Sequence, residues 1–258
     1  MRAWIVACVL LLGACLTWPG SSKAQTVSSV EEVSAWLAEL QRGLHDKFGV
    51  KSIRIGGGSA ISILQTAYNG APLSFRDMDV FVDMGRPVTP ALTEKIGREL
   101  ESQGLGKFSA GDLRPRPRAN PAKGPGAMNK HNAGYGFFWT KSDGRILDLT
   151  LFHSQADMQL GGVLNTDRVN IKLDHGTDLK TVMGALQARG PPAAMKAGIL
   201  IDPHGGWESW RKKAPRMVGP EEFARDPEQA TIRLVRAFAK MGLDEFPADI
   251  KAQVHAGL

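Results

Sequence analysis

Residues 53–84 read IRIGGGSAISILQTAYNGAPLSFRDMDVFVDM, and this stretch decides the fold. From Lys51 to Ile55 apolar β-branched residues alternate with polar ones, the period-two pattern of a half-buried strand, and Gly56, Gly57 and Gly58 follow at once. Glycines permit positive φ and close backbone approach, and from Ser59 an apolar helical run passes through Ile61, Leu64 and Ala67. A strand, a glycine turn and a helix N-terminus aim backbone N–H groups and a positive dipole end at one spot, which suits a triphosphate. The helix is expected to end near Asn69-Gly70.

Beyond the helix, Met78, Val80 and Val82 alternate with Asp77, Asp79, Phe81 and Asp83. Residues two apart on a strand share a face, so Asp77 and Asp79 project together and are expected to bind hard cations. Two Mg²⁺ ions held this way would stabilise the attacking and leaving oxygens of a nucleotidyl transfer.

The rest of the chain frames that pair. Its 258 residues carry a formal charge of +6, compatible with a polyanionic partner such as RNA without requiring one. Residues 1–24 read as an export signal, with Arg2, an apolar run from Trp4 to Leu16, a break at Pro19-Gly20 and small residues at Ser22-Lys23-Ala24. Cleavage after Ala24 implies a periplasmic or secreted protein; Leu12-Gly13-Ala14-Cys15 offers a second route, a lipid anchor at Cys15. The apolar run is too short for a stable membrane span. Both cysteines, Cys8 and Cys15, lie in this leader, which excludes a disulfide, a thiolate metal site and a cysteine nucleophile from the mature domain. The histidines show no HExxH or other zinc-binding spacing.

Val27 to Lys47 carries Val33, Trp36, Leu37, Leu40 and Leu44 at helical spacing, with Ser28 or Ser29 as the cap, and Pro90 to Gln103 reads as another helix. Gly111 to Gly136 mixes Pro115, Pro117, Pro121 and Pro125 with Arg114, Arg116, Arg118 and Lys123. It is expected to be a mobile loop, either a solvated insertion or a flap over phosphates. Phe137-Phe138-Trp139 and Arg145 to Phe152 form a hairpin turned at Ser142-Asp143-Gly144. On its second strand Asp148 either faces the metal pair or is hydrogen-bonded structurally. GILIDPHGG, residues 198–206, reads as a short strand and a turn. Phe223 to Gly242 reads as a helix with Ile232, Val235, Phe238, Ala239 and Met241 inside and Arg233, Arg236 and Lys240 on a basic side.

In order, IGGGSA, RDMDVFV, ILDLTLFH, TDRVNIKL, GILIDPHGGWESWRKKAPRMVG and FARDPEQATIRLVRAFAKMGL resemble the motifs of the class II nucleotidyltransferases, the bacterial CCA-adding tRNA nucleotidyltransferase and poly(A) polymerase family. The resemblance spans about Ile53 to Leu243. It implies an α/β fold: a polymerase β-like nucleotidyltransferase head with a small mixed sheet over residues 25–175, then a linker strand and helical neck over residues 176–258. It implies Asp77, Asp79 and Asp148 as catalytic carboxylates, Asp77 and Asp79 as Mg²⁺ ligands, and nucleotide contacts from Gly57, Gly58, Ser59, Asp167, Arg168, Asp226, Arg233 and Arg236.

The chain also departs from the family pattern. Ile61-Ser62 stands where the family has Arg-Asp, Asn165-Thr166 where it has paired arginines, and Arg225-Asp226-Pro227-Glu228-Gln229 keeps only the Asp of the base-selecting motif. The expected function is metal-dependent transfer of a nucleoside monophosphate from NTP to a hydroxyl, with an RNA 3′ end as the implied acceptor. The alternatives are an exported binding protein that has lost catalysis and a transferase acting on a small molecule or a protein.

Overall fold

The computed structural model describes residues 29–75, 77–109, 111, 113–119, 128–140, 146–160, 162–219, 223 and 227–257. The export signal, Cys15, the turn at Ser142-Asp143-Gly144 and Asp226 lie outside the described residues.

Helix α1 runs Val30–Phe48, where the Ser29 hydroxyl accepts from the Glu32 N–H at 3.0 Å and Gly49, at φ 61°, ends it in the left-handed region. Strand β1, Ser52–Gly56, passes directly into α2, Gly57–Asn69, which stops at Gly70. Strand β2, Asp77–Asp83, leads to α3, Pro90–Ser102, capped by Thr89. Strands β3, Lys107–Phe108, β4, Arg114–Ala119, β5, Met128–Thr140, and β6, Ile146–Phe152, follow. Short 3-10 turns at Asp157–Leu160 and Asn165–Arg168 bring the chain to β7, Asn170–Leu173. Helix α4, Leu179–Lys196, strand β8, Leu200–Ile201, and helices α5, Gly206–Arg211, α6, Pro227–Lys240, and α7, Ala248–Gly257, complete it.

One sheet runs in the order β3-β5-β6-β2-β1-β7-β8, with β4 also on β5. Only β2 and β6 are parallel, so the sheet is mixed. Its inner face carries Ile53, Ile55, Val80, Val82, Phe137, Leu149, Leu151 and Ile171, all 0 % exposed, under apolar residues from α1 to α4. Alternation then forces the opposite residues of β1, β2 and β6 onto the outer face, where the polar groups gather.

The expected loop over Gly111 to Gly136 is in large part β4 and β5. Pro115 and Pro117 argue against a central strand, but among the described residues β4 pairs with β5 alone, and an edge strand tolerates residues without an N–H. Opposite Arg114 and Arg116 stand Gly136 and Gly134. A Cβ on Gly136 would come within 2.9 Å of Thr150 Oγ1 and 3.1 Å of Arg116 Nε, so the glycine makes room for the arginine.

The first core extends from Val33 to Trp207 and includes Leu179, Val182, Leu186 and Leu200. A head ending at residue 175 would therefore cut through it; α4 and β8 pack with the sheet. A second core of Val163, Leu164, Phe223, Leu234, Phe238, Ile250 and Val254 holds α6 and α7. Asn165, 0 % exposed, ties the two together: its amide donates to Ser209 Oγ at 2.7 Å, and its carbonyl oxygen accepts from the Arg216 N–H at 2.9 Å. On α6, Ile232 is 37 % exposed and Ala239 is exposed as well, whereas Ala230, Thr231, Leu234 and Phe238 are buried. The expected inward set is corrected accordingly. Among the described residues no helix is long and apolar enough to cross a membrane.

Candidate functional site

The outer face is organised by cross-strand register. Phe138 stands opposite Asp148, Asp148 opposite Asp79, Asp79 opposite Gly56, and Gly56 opposite Asn170. This row crosses five strands and carries two of the expected carboxylates at its middle. Asp77 lies two residues along β2 from Asp79, on the same face.

At the row's centre the backbone bends closely around Asp79. Gly57 has φ 56°, donates its N–H to Val169 O at 3.1 Å, and a Cβ there would lie 2.9 Å from Asp79 Oδ2. Gly56 is equally constrained, because a Cβ would collide with the Phe81 ring and approach Asn170 Oδ1 at 2.8 Å. The start of α2 thus lies against the Asp79 carboxylate with no side chain between them. Lys240, from the end of α6, places Nζ 3.7 Å from where a Gly58 Cβ would be, so a cation already faces the helix N-terminus. Ser59 is 1 % exposed and its hydroxyl donates to Asp77 O at 2.9 Å, joining the glycine turn to the carboxylate strand.

Electrostatics single out Asp79. Burial, with the negative charges of Asp148 and Asp77 beside it, pushes its carboxyl up to about 7, against the pull of Arg116 and Lys240. Asp148 is compensated differently: Arg116 Nη2 donates to its two oxygens at 3.1 and 3.2 Å, and Arg114 Nη2 donates at 3.2 Å. Arg116 Nη2 also donates to Thr150 Oγ1 at 3.1 Å, and the Arg114 guanidinium lies 3.4 Å above the centre of the Phe138 ring.

The other expected nucleotide contacts divide. Asp167 Oδ2 accepts from the N–H groups of Val163 at 3.2 Å and Leu164 at 3.0 Å. Burial raises its pKa, while those two bonds and the charges of Arg233 and Lys240 oppose the rise. Arg168 donates to Gly162 O from Nε at 3.3 Å and Nη2 at 3.2 Å, holding the 3-10 turn. Arg233 and Arg236 are exposed on α6 with Lys240, and Arg233 is close enough to act on Asp167. The structure therefore gathers Asp77, Asp79, Asp148, Gly57 and Gly58 at one place, with Arg116 and Lys240 beside them. Neither cation is singled out by a local motif; each arrives through tertiary packing.

A divalent cation fits the Asp77 and Asp79 pair on chemical grounds. Like-charged carboxylates crowd together there, one of them holding its proton near neutrality, and hard cations favour such oxygen donors. Among the described residues no group of three His, Cys, Asp or Glu is assembled to hold a metal. Mg²⁺ needs only one or two carboxylates when phosphate and water supply the remaining ligands.

No protein-family model matches the chain, and neither does any curated protein. Solved structures do. The CCA-adding enzyme of Thermotoga maritima, complexed with tRNA, aligns with 89 % of this chain and 45 % of its own, at 15 % identity and a TM-score of 0.50. CCA-adding enzymes solved with ATP and with CTP align at 14 % identity, covering 84 % and 79 % of this chain and 41 % and 40 % of theirs, at TM-scores of 0.46 and 0.43. The chain has a nucleotidyltransferase-like fold. It spans less than half the length of these structures.

Proposed function

We propose that the protein is a Mg²⁺-dependent nucleotidyltransferase that moves a nucleoside monophosphate from an NTP to a hydroxyl, most simply the 3′ end of an RNA. The observation that carries this is the close approach of Gly57 to Asp79, where even a Cβ would come within 2.9 Å of Oδ2, so that a helix N-terminus, the kind of site that suits phosphate, lies beside a paired carboxylate. Asp77 and Asp79 would hold the metal, which when bound polarises the phosphoryl oxygens. Gly58 would receive the triphosphate through its backbone N–H, Gly57 keeping the helix N-terminus clear of a side chain beside Asp79, with Lys240 neutralising the charge. In the reaction a bond forms between the acceptor oxygen and the α-phosphorus, the bond from the α-phosphorus to the bridging oxygen breaks, and pyrophosphate leaves. Asp148 would take the acceptor's proton once its arginine partners turn to phosphate. Export through residues 1–24 belongs to the same proposal and puts the reaction outside the cytoplasm.

The pairing of Asp148 with Arg114 and Arg116 favours a second reading, a nucleotide-binding protein that has lost turnover. Isothermal titration with ATP and CTP in Mg²⁺, with the Asp77→Ala, Asp79→Ala double variant as comparison, tests both. Metal-dependent binding that the variant loses, followed by pyrophosphate release with an RNA acceptor, establishes the enzyme. Binding without release establishes the second reading, and no binding by either protein overturns both.

A further inference from the structure

We infer that Phe138, with Arg114 lying on its ring, seats the terminal base of a polynucleotide acceptor. The hydroxyl extended then belongs to a nucleotide rather than to a protein side chain or a small molecule. This rests on the nucleotidyltransferase reading above and specifies which side of the site the acceptor occupies.

Phe137 and Phe138 are neighbours with opposite fates. Phe137 is 0 % exposed and meets Phe108 edge-to-face at 5.0 Å, whereas Phe138, on the outer face, is 41 % exposed, an exposure that among the described residues only two other large apolar side chains, Met195 and Ile232, share. The second ring contributes little to the core, yet it stands in the functional row, directly across from Asp148. In-line displacement requires the attacking oxygen and the leaving pyrophosphate to lie on opposite sides of the α-phosphorus. The phosphate-binding side is fixed: Gly57, Gly58 and Lys240 sit on the β1 side of Asp79. The acceptor must then approach from β6 and β5, where the row continues through Asp148 to Phe138, two strand spacings or roughly 10 Å from Asp79. A nucleotide with its 3′ hydroxyl near Asp148 lays its base toward that ring.

The charge beside the ring fits the same occupant. Arg114 and Arg116 converge on Asp148 with side chains 36 % and 31 % exposed, while Asp148 is 13 % exposed. An arriving backbone phosphate offers these planar donors an alternative partner that the guanidinium fork also matches, which frees the carboxylate for the hydroxyl. An aromatic ring beside two arginines is the combination that holds single strands through stacking and phosphate contact, with little preference for which base is present. A serine or threonine side chain offers nothing to stack.

The test uses the full chain, a 5′-fluorescein pentaribonucleotide ending in adenosine, the same oligonucleotide with an abasic 3′ residue, and MgATP titrated in parallel. Phe138→Ala is expected to weaken binding of the intact oligonucleotide about 5- to 150-fold, to leave MgATP affinity within about twofold, and to bind the abasic oligonucleotide no worse than the parent does. Phe138→Trp should restore the preference for the intact end. If the parent protein binds MgATP but Phe138→Ala holds the oligonucleotide normally, or if the parent ignores the missing base, the acceptor assignment is overturned and the nucleotidyltransferase reading stands. Transfer of label from α-labelled ATP to a serine-containing peptide in preference to the oligonucleotide overturns it equally. If the parent binds no MgATP, the functional reading falls and takes this inference with it.

Discussion

The two faces of the same sheet solve opposite problems. On the inner face Val80, Val82, Leu149 and Phe137 are 0 % exposed within one apolar cluster, so each lowers the free energy of folding. One residue along each strand, the outer face places Asp79 beside Asp148 and Asp77, where burial and like charge oppose ionisation. The contrast teaches that the inner face supplies stability which the outer face spends on crowding charge, and chemistry is sought where the folded state is least comfortable.

Four substitutions, with Gly49→Ala as a control for one of them, break or sharpen the contrast, in falling order of effect. Phe137→Ala should cost about 3–5 kcal/mol in urea unfolding, because it empties a packed site on the inner face. Asp79→Asn should act in the opposite sense. In the folded protein Asp79 titrates at about 7, above the 3.8 of an ordinary aspartate. Stability is therefore full below about pH 4, is lost as pH rises through 7, and carries the whole penalty at pH 8. Asparagine escapes that penalty, so the variant should gain ~2 kcal/mol at pH 8 and nothing at pH 4, as read from melting curves; this is below the full shift because the half-buried side chain is partly screened by solvent. Adding Mg²⁺ at pH 8 should raise the melting temperature of the parent and leave that of Asp79→Asn unmoved.

Gly57→Ala should cost about 1–2 kcal/mol from its positive φ and also impair MgATP binding, since the new methyl meets Asp79. Gly49→Ala, at φ 61° with nothing within 4 Å, supplies the strain alone. The difference between the two in MgATP affinity isolates the contact. Phe138→Ala should change stability by less than about 1 kcal/mol, the scale of an exposed cation–π contact, despite being one residue from the most damaging substitution.

What the chain revealed in advance was local. The passage from Ile55 through Gly56 into α2, and the shared face of Asp77 and Asp79, follow from period and glycine chemistry and stand in the structure. The β4 strand was hidden because Pro115 and Pro117 are strand breakers everywhere except an edge, and being an edge is a property of the whole sheet. Gly190, at φ 70°, with Pro191 and Pro192 after it, interrupts the periodicity of α4 in the same way. The reach of Lys240 to the glycine turn and of Arg116 to Asp148 depends on how α6 and β4 pack, which no spacing encodes. The inward assignment of Ile232 and Ala239 erred because an apolar side chain on a helix does not reveal which neighbour the helix will find.

The prolines of β4 have one more effect. A sheet that ends in an open strand invites another chain to extend it, since unpaired N–H and C=O groups form a template for aggregation. At Pro115 and Pro117 that template has no hydrogen to offer. The strand that delivers the two arginines to Asp148 thus also discourages any neighbouring molecule from continuing the sheet.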